Sequence, residues 1–328
     1  AVKSRVIGIT GSAGKTTTTI LVGEIAKKSV QDNQKVWVGG NIGSPLIASL
    51  DEIQPSDLVV LELSSFQLEL MTISPSIAAI LNITPNHLDR HETMAAYIDA
   101  KSQILRYQSS RDTAILNCED ATTMELKPLV RGQLITFGHQ SSKERSVYVE
   151  DDHLVYRQNS KTTILMPCNG VKLQGEHNLL NALAAGAVAI AAGFSPQAIQ
   201  AGIESVSSIP HRLEWVREWR GINWYNDSIA TAPERTAAAI QSFNQPILLL
   251  LGGRDKKLPW KDLSDLIHQK VKKVILFGEA AGLISKAIGE PKSSGYPQFL
   301  IQCEKFDEAV RKAAEIAERG DVVLLSPG

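Results

Sequence analysis

The chain has few cysteines and no long apolar run, and both shortages exclude whole classes of protein. It contains three cysteines in 328 residues and no C-x-x-C pair, which argues against a disulfide framework or a zinc site and suits a reducing compartment. Its longest apolar stretch, residues 182–193, is much shorter than the roughly 20 residues that span a bilayer. No secretory signal precedes Val2. We therefore expect a cytoplasmic protein without membrane insertion.

An excess of charge is also missing. Lys and Arg number 34 against 35 Asp and Glu, so nothing in the overall charge favours a nucleic acid partner, and any anionic ligand must be held by local groups. Hydrophobic residues make up 43%, an ordinary value for a globular protein. The length suits two domains, at about 100 to 200 residues per domain.

Residues 6–19 read VIGITGSAGKTTTT, the pattern of a strand, a glycine-rich turn and a helix. Such a turn brings backbone N–H groups and a helix N-terminus to one anion, and Lys15 adds a full charge. Thr16 is placed for the Mg²⁺ of a nucleoside triphosphate. Ile9 stands where the usual phosphate loop has its first glycine, so the loop is a variant; the alternative is a turn with a chance Gly-Lys-Thr. The predicted nucleotide-binding residues here are Gly11, Ser12, Ala13, Gly14, Lys15, Thr16 and Thr17.

Two more candidates follow apolar strands. Glu62 lies near the end of the buried strand predicted at 57–63, where a carboxylate is costly unless a cation such as Mg²⁺ meets it. The alternative is a solvated strand end. His87 follows the strand at 76–82, and in open α/β sheets ligands gather at the carboxyl ends of strands. A single histidine is more often a capping or packing residue, and only its position beside the other candidates favours a ligand; His91 four residues later does not complete a zinc-protease motif.

Lys101 lies within the apolar stripe of a predicted helix. Burial disfavours the charged amine and leaves a neutral nucleophile, which can capture carbon dioxide as a carbamate and so become a metal ligand. The alternative is a lysine whose stem packs while its ammonium reaches water. The apolar residues of the stripe are Met94, Tyr97, Ile98, Ile104 and Leu105.

Strands that alternate with helices predict an α/β fold with two mainly parallel sheets. Short alternating runs at 146–150, 154–158 and 162–166 predict antiparallel hairpins at the edge of the first sheet. Asn178 is predicted to cap an alanine-rich helix, and we place the domain boundary after residue 209, giving domains 1–209 and 210–328. The other predicted strands cover 35–38, 113–117, 134–137, 223–226, 246–251, 274–277, 298–301 and 322–325, with helices at 231–243 and 306–319.

A series of motifs identifies the chain as similar to the Mur ligases. They are TGSAGKTT, GGNIGSP, LELSSFQLE, NITPNHLDRH, AYIDAK, GEHNLLNALAA, PHRLEWV, YNDSIAT, LLLGGRDKK and LLSPG, in the family's order. The resemblance implies a P-loop NTPase-like central domain followed by a Rossmann-like carboxyl-terminal domain. It also implies an ATP-dependent, ADP-forming amide ligase of peptidoglycan synthesis that works through an acyl phosphate. GGNIG and LELSSFQLE resemble the members that add D-glutamate to UDP-MurNAc-L-alanine, and we expect a monomer.

The resemblance also implies roles for individual residues. Lys15 would hold the β and γ phosphates, Thr16 and Glu62 one Mg²⁺, and His87 with carbamylated Lys101 a second metal. The remaining implied contacts are Asn41 and His87 near the reacting substrate, Asn178 near the adenine, Asp227 on the ribose, Arg212 on the phosphates as the domains close, and Thr231 and Lys256 on D-glutamate.

The chain also departs from the family. Ile229 stands where the family often has lysine. Neither the amino-terminal domain that grips uridine diphosphate nor the segment after Gly328 is in the sequence, so we expect a fragment of a longer protein. One alternative function is an ATP-binding module without ligase chemistry. Another is a related ligase that adds a different amino acid or acts on folate.

Overall fold

The computed structural model describes residues 4–30, 33–42, 46–85, 88–142, 145–173, 175–254, 258–290 and 295–328. The chain divides into two compact units, residues 1–207 and 208–328. This division lies close to the domain boundary placed after residue 209 from the sequence.

The described strands of the first unit are mostly runs of buried aliphatic residues, as expected for strands that are covered on both faces. They are Arg5–Thr10 (β1), Val36–Gly40 (β2), Leu58–Glu62 (β3), Ile77–Ile80 (β4), Thr113–Asn117 (β5), Gln133–Phe137 (β6), Ser146–Glu150 (β7), His153–Gln158 (β8) and Lys161–Pro167 (β9).

These strands form one sheet in the order β2-β3-β1-β4-β5-β6-β7-β8-β9. Neighbours are parallel from β2 to β7, and β8 is antiparallel to both of its neighbours, β7 and β9. The prediction of antiparallel hairpins at the edge is confirmed. The carboxyl ends of β3, β1 and β4 therefore lie side by side, and the segments that follow them meet at one edge of the sheet.

Helices cover this sheet. They are Lys15–Ser29 (α1), Ser65–Glu69 (α2), Leu88–His91 (α3), Met94–Arg106 (α4), Ala121–Met124 (α5), Glu176–Ala192 (α6) and Pro196–Glu204 (α7), with short 3₁₀ turns at Leu46–Ser49, Lys127–Leu129 and Cys168–Gly170. Helix α1 packs against α6 and α7. On α2 and α4, Leu68, Tyr97 and Ile104 share a buried cluster with Ala78 and Ile80 of β4.

The predicted cap at Asn178 is wrong. Helix α6 begins at Glu176, and Gly175 is its N-cap with a φ of 93°, a left-handed value that favours glycine. Asn178 lies inside the first turn, where its N–H donates to the Gly175 carbonyl and its side chain accepts a hydrogen bond from Asn181. The glycine supplies the backbone turn, so the amide side chain is available for a contact within the fold.

The second unit is built the same way. Its described strands are Glu214–Trp219 (β10), Ile222–Asn226 (β11), Ile247–Gly252 (β12), Val271–Phe277 (β13), Phe299–Cys303 (β14) and Val322–Leu325 (β15). Its helices are Pro233–Gln241 (α8), Lys261–Lys270 (α9), Ala281–Ile288 (α10) and Phe306–Ile316 (α11).

The sheet of the second unit has the order β10-β11-β15-β12-β13-β14 and is parallel except for β10. Strand β12 is buried along its whole length, and its residues face two apolar clusters on opposite sides of the sheet. The α/β prediction with two mainly parallel sheets is confirmed, and β10 is an antiparallel edge strand that the sequence did not indicate. Among the described residues, the structure contains no helix with the length and apolar character needed to cross a membrane.

Candidate nucleotide-binding site

The turn between β1 and α1 is shaped by a glycine and held by an asparagine. Gly14 has a φ of 81°, and a Cβ at this position would collide with Asn181 Oδ1 at the start of α6, so glycine is required twice over. The Ser12 N–H donates to the Asn82 carbonyl at 2.9 Å, and the Ala13 N–H donates to Asn82 Oδ1 at 2.8 Å. The backbone amides of the first turn of α1, from Lys15 onward, point to the N-terminal end of the helix, where an anion is favoured.

Two lysine amines converge on this turn. Lys15 Nζ and Lys101 Nζ each donate to the carbonyl oxygen of Gly11 at 2.9 Å, although the lysines are far apart in the chain. Lys15 Nζ also lies 3.4 Å from the Ser12 carbonyl. Lys15 contributes a full positive charge here and Lys101 a second amine, so this edge of the sheet attracts a polyanion.

The Lys101 side chain is 1% exposed, so the alternative of an ammonium that reaches water is wrong. Burial, and then the nearby charge of Lys15, lower the pKa of Lys101 to about 7. Its Nζ lies 4.7 Å from the centre of the Tyr97 ring and 3.5 Å from Thr10 Oγ1. A large fraction of this amine is neutral near neutral pH, and a neutral amine is a nucleophile.

Glu62, at the end of β3, is 2% exposed, so the alternative of a solvated strand end is wrong. Its Oε2 accepts a hydrogen bond from Thr16 Oγ1 at 2.8 Å, and its Oε1 accepts one from Asn41 Nδ2 at 3.0 Å. A carboxylate beside a hydroxyl is a set of hard oxygen donors that suits Mg²⁺ bound mainly through phosphates. Within the residues that the structure describes, no group of three or more His, Cys, Asp and Glu side chains could hold a metal by itself.

In the second unit, Asp227 follows β11 and is buried. Its carboxylate accepts hydrogen bonds from the Leu213 N–H at 3.1 Å and from Ser326 Oγ at 2.9 Å, while burial raises its pKa. Arg212, on the segment before β10, also acts on it electrostatically. Thr231 is exposed and lies two residues before α8 begins.

The structure brings together Gly11 of the loop and five further predicted site residues: Lys15, Thr16, Asn41, Glu62 and Lys101. Asn178 lies at the start of α6, where its bonding partner Asn181 contacts Thr18 of α1. Thr17 is fully buried on α1 and faces the interior of the unit. The predicted residues His87 and Lys256 lie outside the described residues.

Asn82 and Tyr97 hold the turn in place, and the sequence interpretation assigned neither a role there. Asn82 makes the two contacts already described, and its Nδ2 also donates to the Ala13 carbonyl at 3.2 Å. The Tyr97 hydroxyl lies 3.1 Å from Ser12 Oγ. The signal for Asn82 was present, because it is a polar residue at the carboxyl end of a buried parallel strand. Tyr97 offered no signal, because it fits an apolar stripe without its hydroxyl.

Comparison with known proteins gives two family matches, to the Mur ligase middle domain over residues 9–189 and to the glutamate ligase domain of Mur ligases over residues 211–328. UDP-N-acetylmuramoylalanine–D-glutamate ligase of Acetivibrio thermocellus is 40% identical over 99% of this chain and 69% of its own length. The protein of the same name from Symbiobacterium thermophilum is 40% identical over 99% of this chain and 70% of its own length.

Solved structures share the fold at low identity. MurF ligase from Thermotoga maritima in complex with ADP has a TM-score of 0.74 at 18% identity, covering 99% of this chain and 76% of that one. E. coli FolC in complex with DHPP and ADP has a TM-score of 0.71 at 16% identity, covering 98% of this chain and 86% of that one.

Proposed function

This chain belongs to the Mur ligase family, and from that premise we propose that it joins D-glutamate to UDP-N-acetylmuramoyl-L-alanine at the expense of ATP. The terminal carboxylate of the nucleotide sugar attacks the γ-phosphorus of ATP, and ADP leaves. The amine of D-glutamate then attacks the acyl carbon, phosphate leaves, and the nitrogen loses a proton as the amide forms. The curated relatives that carry this activity in their name support the proposal.

One observation carries the ATP-dependent part. Lys15 begins the helix after β1, and Glu62 ends β3 beside it, so an ammonium, a helix N-terminus and a carboxylate meet at one sheet edge. The amine and the helix end suit the phosphates, and the carboxylate suits the cation that travels with them. A chance Gly-Lys-Thr turn would have no reason to bury Glu62 against Thr16.

The donors present fit a magnesium ion. We propose that Thr16 Oγ1 and Glu62 hold it, because they already lie 2.8 Å apart as a pair of oxygen donors. When bound, Mg²⁺ neutralises charge on the triphosphate and on the phosphoryl group in transfer. The chain's own contribution is to fix that pair on α1 and β3, two rigid elements. Asn41 donates a hydrogen bond to the other carboxylate oxygen of Glu62, and we propose that it also contacts the reacting substrate, as the family resemblance implies.

We propose that Lys101 is carbamylated in the active protein and serves a second metal together with His87. The neutral amine attacks carbon dioxide, a nitrogen–carbon bond forms, and the nitrogen releases one proton. The lowered pKa of Lys101 supports this step, because the amine need not first lose a proton at high pH. The product is a carboxylate-like ligand with the opposite charge, which would relieve the repulsion with Lys15.

For the second unit we propose contacts with both small molecules. Asp227 and Arg212 bind the nucleotide, on its ribose and phosphates respectively, and Thr231 with Lys256 binds D-glutamate. The place of Thr231 just before α8 supports its assignment, since a helix N-terminus favours a carboxylate. Ile229 supplies no charge there, so Lys256 would be the cation that the D-glutamate carboxylates meet.

The experiment is a phosphate-release assay on the full natural form of the protein, with ATP, Mg²⁺ and UDP-MurNAc-L-alanine. We expect release to depend on D-glutamate and to be at background with L-glutamate, glycine or L-lysine. If phosphate release depended instead on another amino acid or on a folate, D-glutamate would not be the acceptor. Nucleotide binding without amino-acid-dependent release would leave an ATP-binding module.

We further propose that the protein works as a monomer in the cytoplasm, with two small-molecule substrates and no nucleic acid partner. Light scattering after size-exclusion chromatography measures the mass directly. A dimer under assay conditions would contradict the monomer.

A further inference from the structure

A buried histidine beside the nucleotide site has no role in the function proposed above. His91 is the last residue of α3, and only 6% of it is exposed. It lies between α2, which follows the strand of Glu62, and α4, which carries Lys101. A buried polar ring at the junction of three helices needs a physical reason.

Both nitrogens of the ring are engaged. His91 Nε2 lies 2.8 Å from Ser65 Oγ, and Nδ1 donates to Glu69 Oε1 at 3.0 Å. A serine, a histidine and a carboxylate in this order also occur in hydrolytic triads. Ser65 is 3% exposed, however, and its hydroxyl points at the ring from the first residue of α2, so an acyl substrate could not reach it. The two contacts therefore fix the plane of the ring.

The ring is also part of a continuous column. It stacks on Phe66 with the centres 5.1 Å apart and the planes within 2°, and its other neighbour is Tyr97, with ring centres 5.0 Å apart. The next member of the column is Lys101, whose Nζ lies 4.7 Å from the Tyr97 ring. At the outer end, the Arg90 guanidinium lies 4.9 Å from the Phe66 ring. The column runs from the surface to the buried amine.

We propose that His91 is a positioning residue that holds Tyr97 in place and, through it, the Lys101 amine at the phosphate loop. The proposal rests on the function above for its catalytic consequence, but not for the geometry. Tyr97 is bound on two sides, by the His91 ring and by Ser12 in the loop. Removing the histidine ring leaves a gap beside Tyr97, and a tyrosine free to tilt no longer presents its face to Lys101.

The first test measures where the Lys101 amine lies and needs no enzyme activity. The protein, in buffer freed of carbon dioxide, is treated with acetic anhydride, and acetylation of Lys101 is followed by peptide mass spectrometry relative to the exposed Lys161. In His91→Ala we expect acetylation of Lys101 about tenfold faster than in the parent, because a buried group that becomes accessible reacts more readily. His91→Phe keeps a flat ring in the column, so its rate should stay within about threefold of the parent.

A matched control separates this effect from a general loss of stability. Leu126→Ala removes a buried side chain from the apolar cluster that contains Tyr97, but Leu126 is not part of the column of His91, Tyr97 and Lys101. We expect parental acetylation of Lys101 in this variant. Equal rates in His91→Ala and the parent would overturn the proposal, and so would an equal rise in Leu126→Ala.

The second test measures turnover in the phosphate-release assay. His91→Ala should lower kcat about tenfold or more and leave the KM for ATP within about threefold, because a misplaced group slows the reaction more than it weakens nucleotide binding. His91→Phe should recover most of the rate. A rise in KM for ATP with unchanged kcat would overturn the positioning role. If the parent protein released no phosphate, the ligase function would fail, while the acetylation result would still decide the placement of Lys101.

Discussion

The Lys101 side chain is buried along its whole length, so its lowered pKa should make the free energy of unfolding depend on pH. The pKa is about 7 in the fold and near the ordinary value of 10.5 in the unfolded chain. Between pH 7 and 10.5 the unfolded chain therefore binds more protons, so the free energy of unfolding rises with pH, by at most about 1.4 kcal/mol per pH unit. Lys101→Met should lack this rise, as measured by urea denaturation at pH 7, 8 and 9.

The control for this titration is Lys161→Met, which removes an exposed lysine from a β-hairpin. It should keep the slope of the parent protein. If Lys101→Met and the parent had parallel stability curves over this range, the amine would have an ordinary pKa.

Glu62 leads to a prediction about magnesium. Glu62→Gln keeps the size of the side chain and a hydrogen bond to Thr16 but removes the charge that a cation needs. Calorimetry with and without Mg²⁺ measures the factor by which the metal increases ATP affinity. In the variant this factor should be about 10 to 100 times smaller than in the parent protein. Glu125→Gln changes an exposed glutamate and should behave as the parent does. An undiminished gain in Glu62→Gln would exclude the carboxylate as a metal ligand.

The sequence could predict which side chains are unusual but not which partners they meet. Lys101 stands out because a lysine in an apolar stripe breaks a helical pattern, and Glu62 because it interrupts an apolar strand. The acceptor of the Lys101 amine is the Gly11 carbonyl, 90 residues away in the chain, and no local spacing encodes that contact. His91 was noticed only as a failed zinc motif, because its partners Ser65 and Glu69 come from a preceding helix.

Elements whose polar and apolar residues alternate regularly were predicted well from the sequence. Elements that depend on tertiary contacts were not. The hairpins from β7 to β9 alternate polar and apolar residues, so their pattern is local. Strand β10 is exposed along four consecutive residues and contains a β-bulge near Val216, so it shows no alternation. The cap of α6 was misassigned because a glycine with positive φ can begin a helix without a side-chain cap.

The packing of α7 on α1 gives a prediction about stability. A Cβ at Gly202 of α7 would collide with the backbone of Ile25 in α1. Gly202→Ala should lower the free energy of unfolding of the first unit by about 1 to 3 kcal/mol, because the two helices must separate. Gly282→Ala is the matched control: this glycine is exposed on α10, no atom lies within 4 Å of the added Cβ, and helix propensity should stabilise the second unit by about 0.4 to 1 kcal/mol. Urea denaturation of both variants checks the signs, and a neutral Gly202→Ala would contradict the close approach.

The two units have similar architecture, and each presents polar groups at the carboxyl ends of its strands, which is where ligands bind in open α/β sheets. Composition and strand alternation were sufficient to predict two α/β units. They could not predict the contacts of Lys101 or Asp227, because these contacts join groups far apart in the sequence. Mutation of Asp227 tests the proposal that the second unit contacts the nucleotide.

Asp227→Asn should weaken ATP binding by the whole chain about tenfold. The carboxylate is buried after β11, and an acceptor with full charge binds hydroxyl groups more strongly than an amide does. Calorimetry with ATP and Mg²⁺ gives the affinity, and circular dichroism checks that the fold is kept. Asp307→Asn, on the exposed face of α11, should leave the affinity as it is. Parental affinity in Asp227→Asn would remove this residue from the nucleotide site.

The oxygen of Gly11 is shared by the amines of Lys15 and Lys101. A carbonyl oxygen has two lone pairs, so this one is saturated before any anion arrives. When a phosphate draws one ammonium away, a lone pair is vacated and the remaining amine loses a repelling neighbour. The turn can thus exchange one set of contacts for another when the half-buried Lys15 side chain moves, while the buried Lys101 side chain and the main chain shaped by Gly14 and Asn82 stay in place. The backbone of this turn therefore stays fixed while the charged Lys15 amine changes its hydrogen-bond partner.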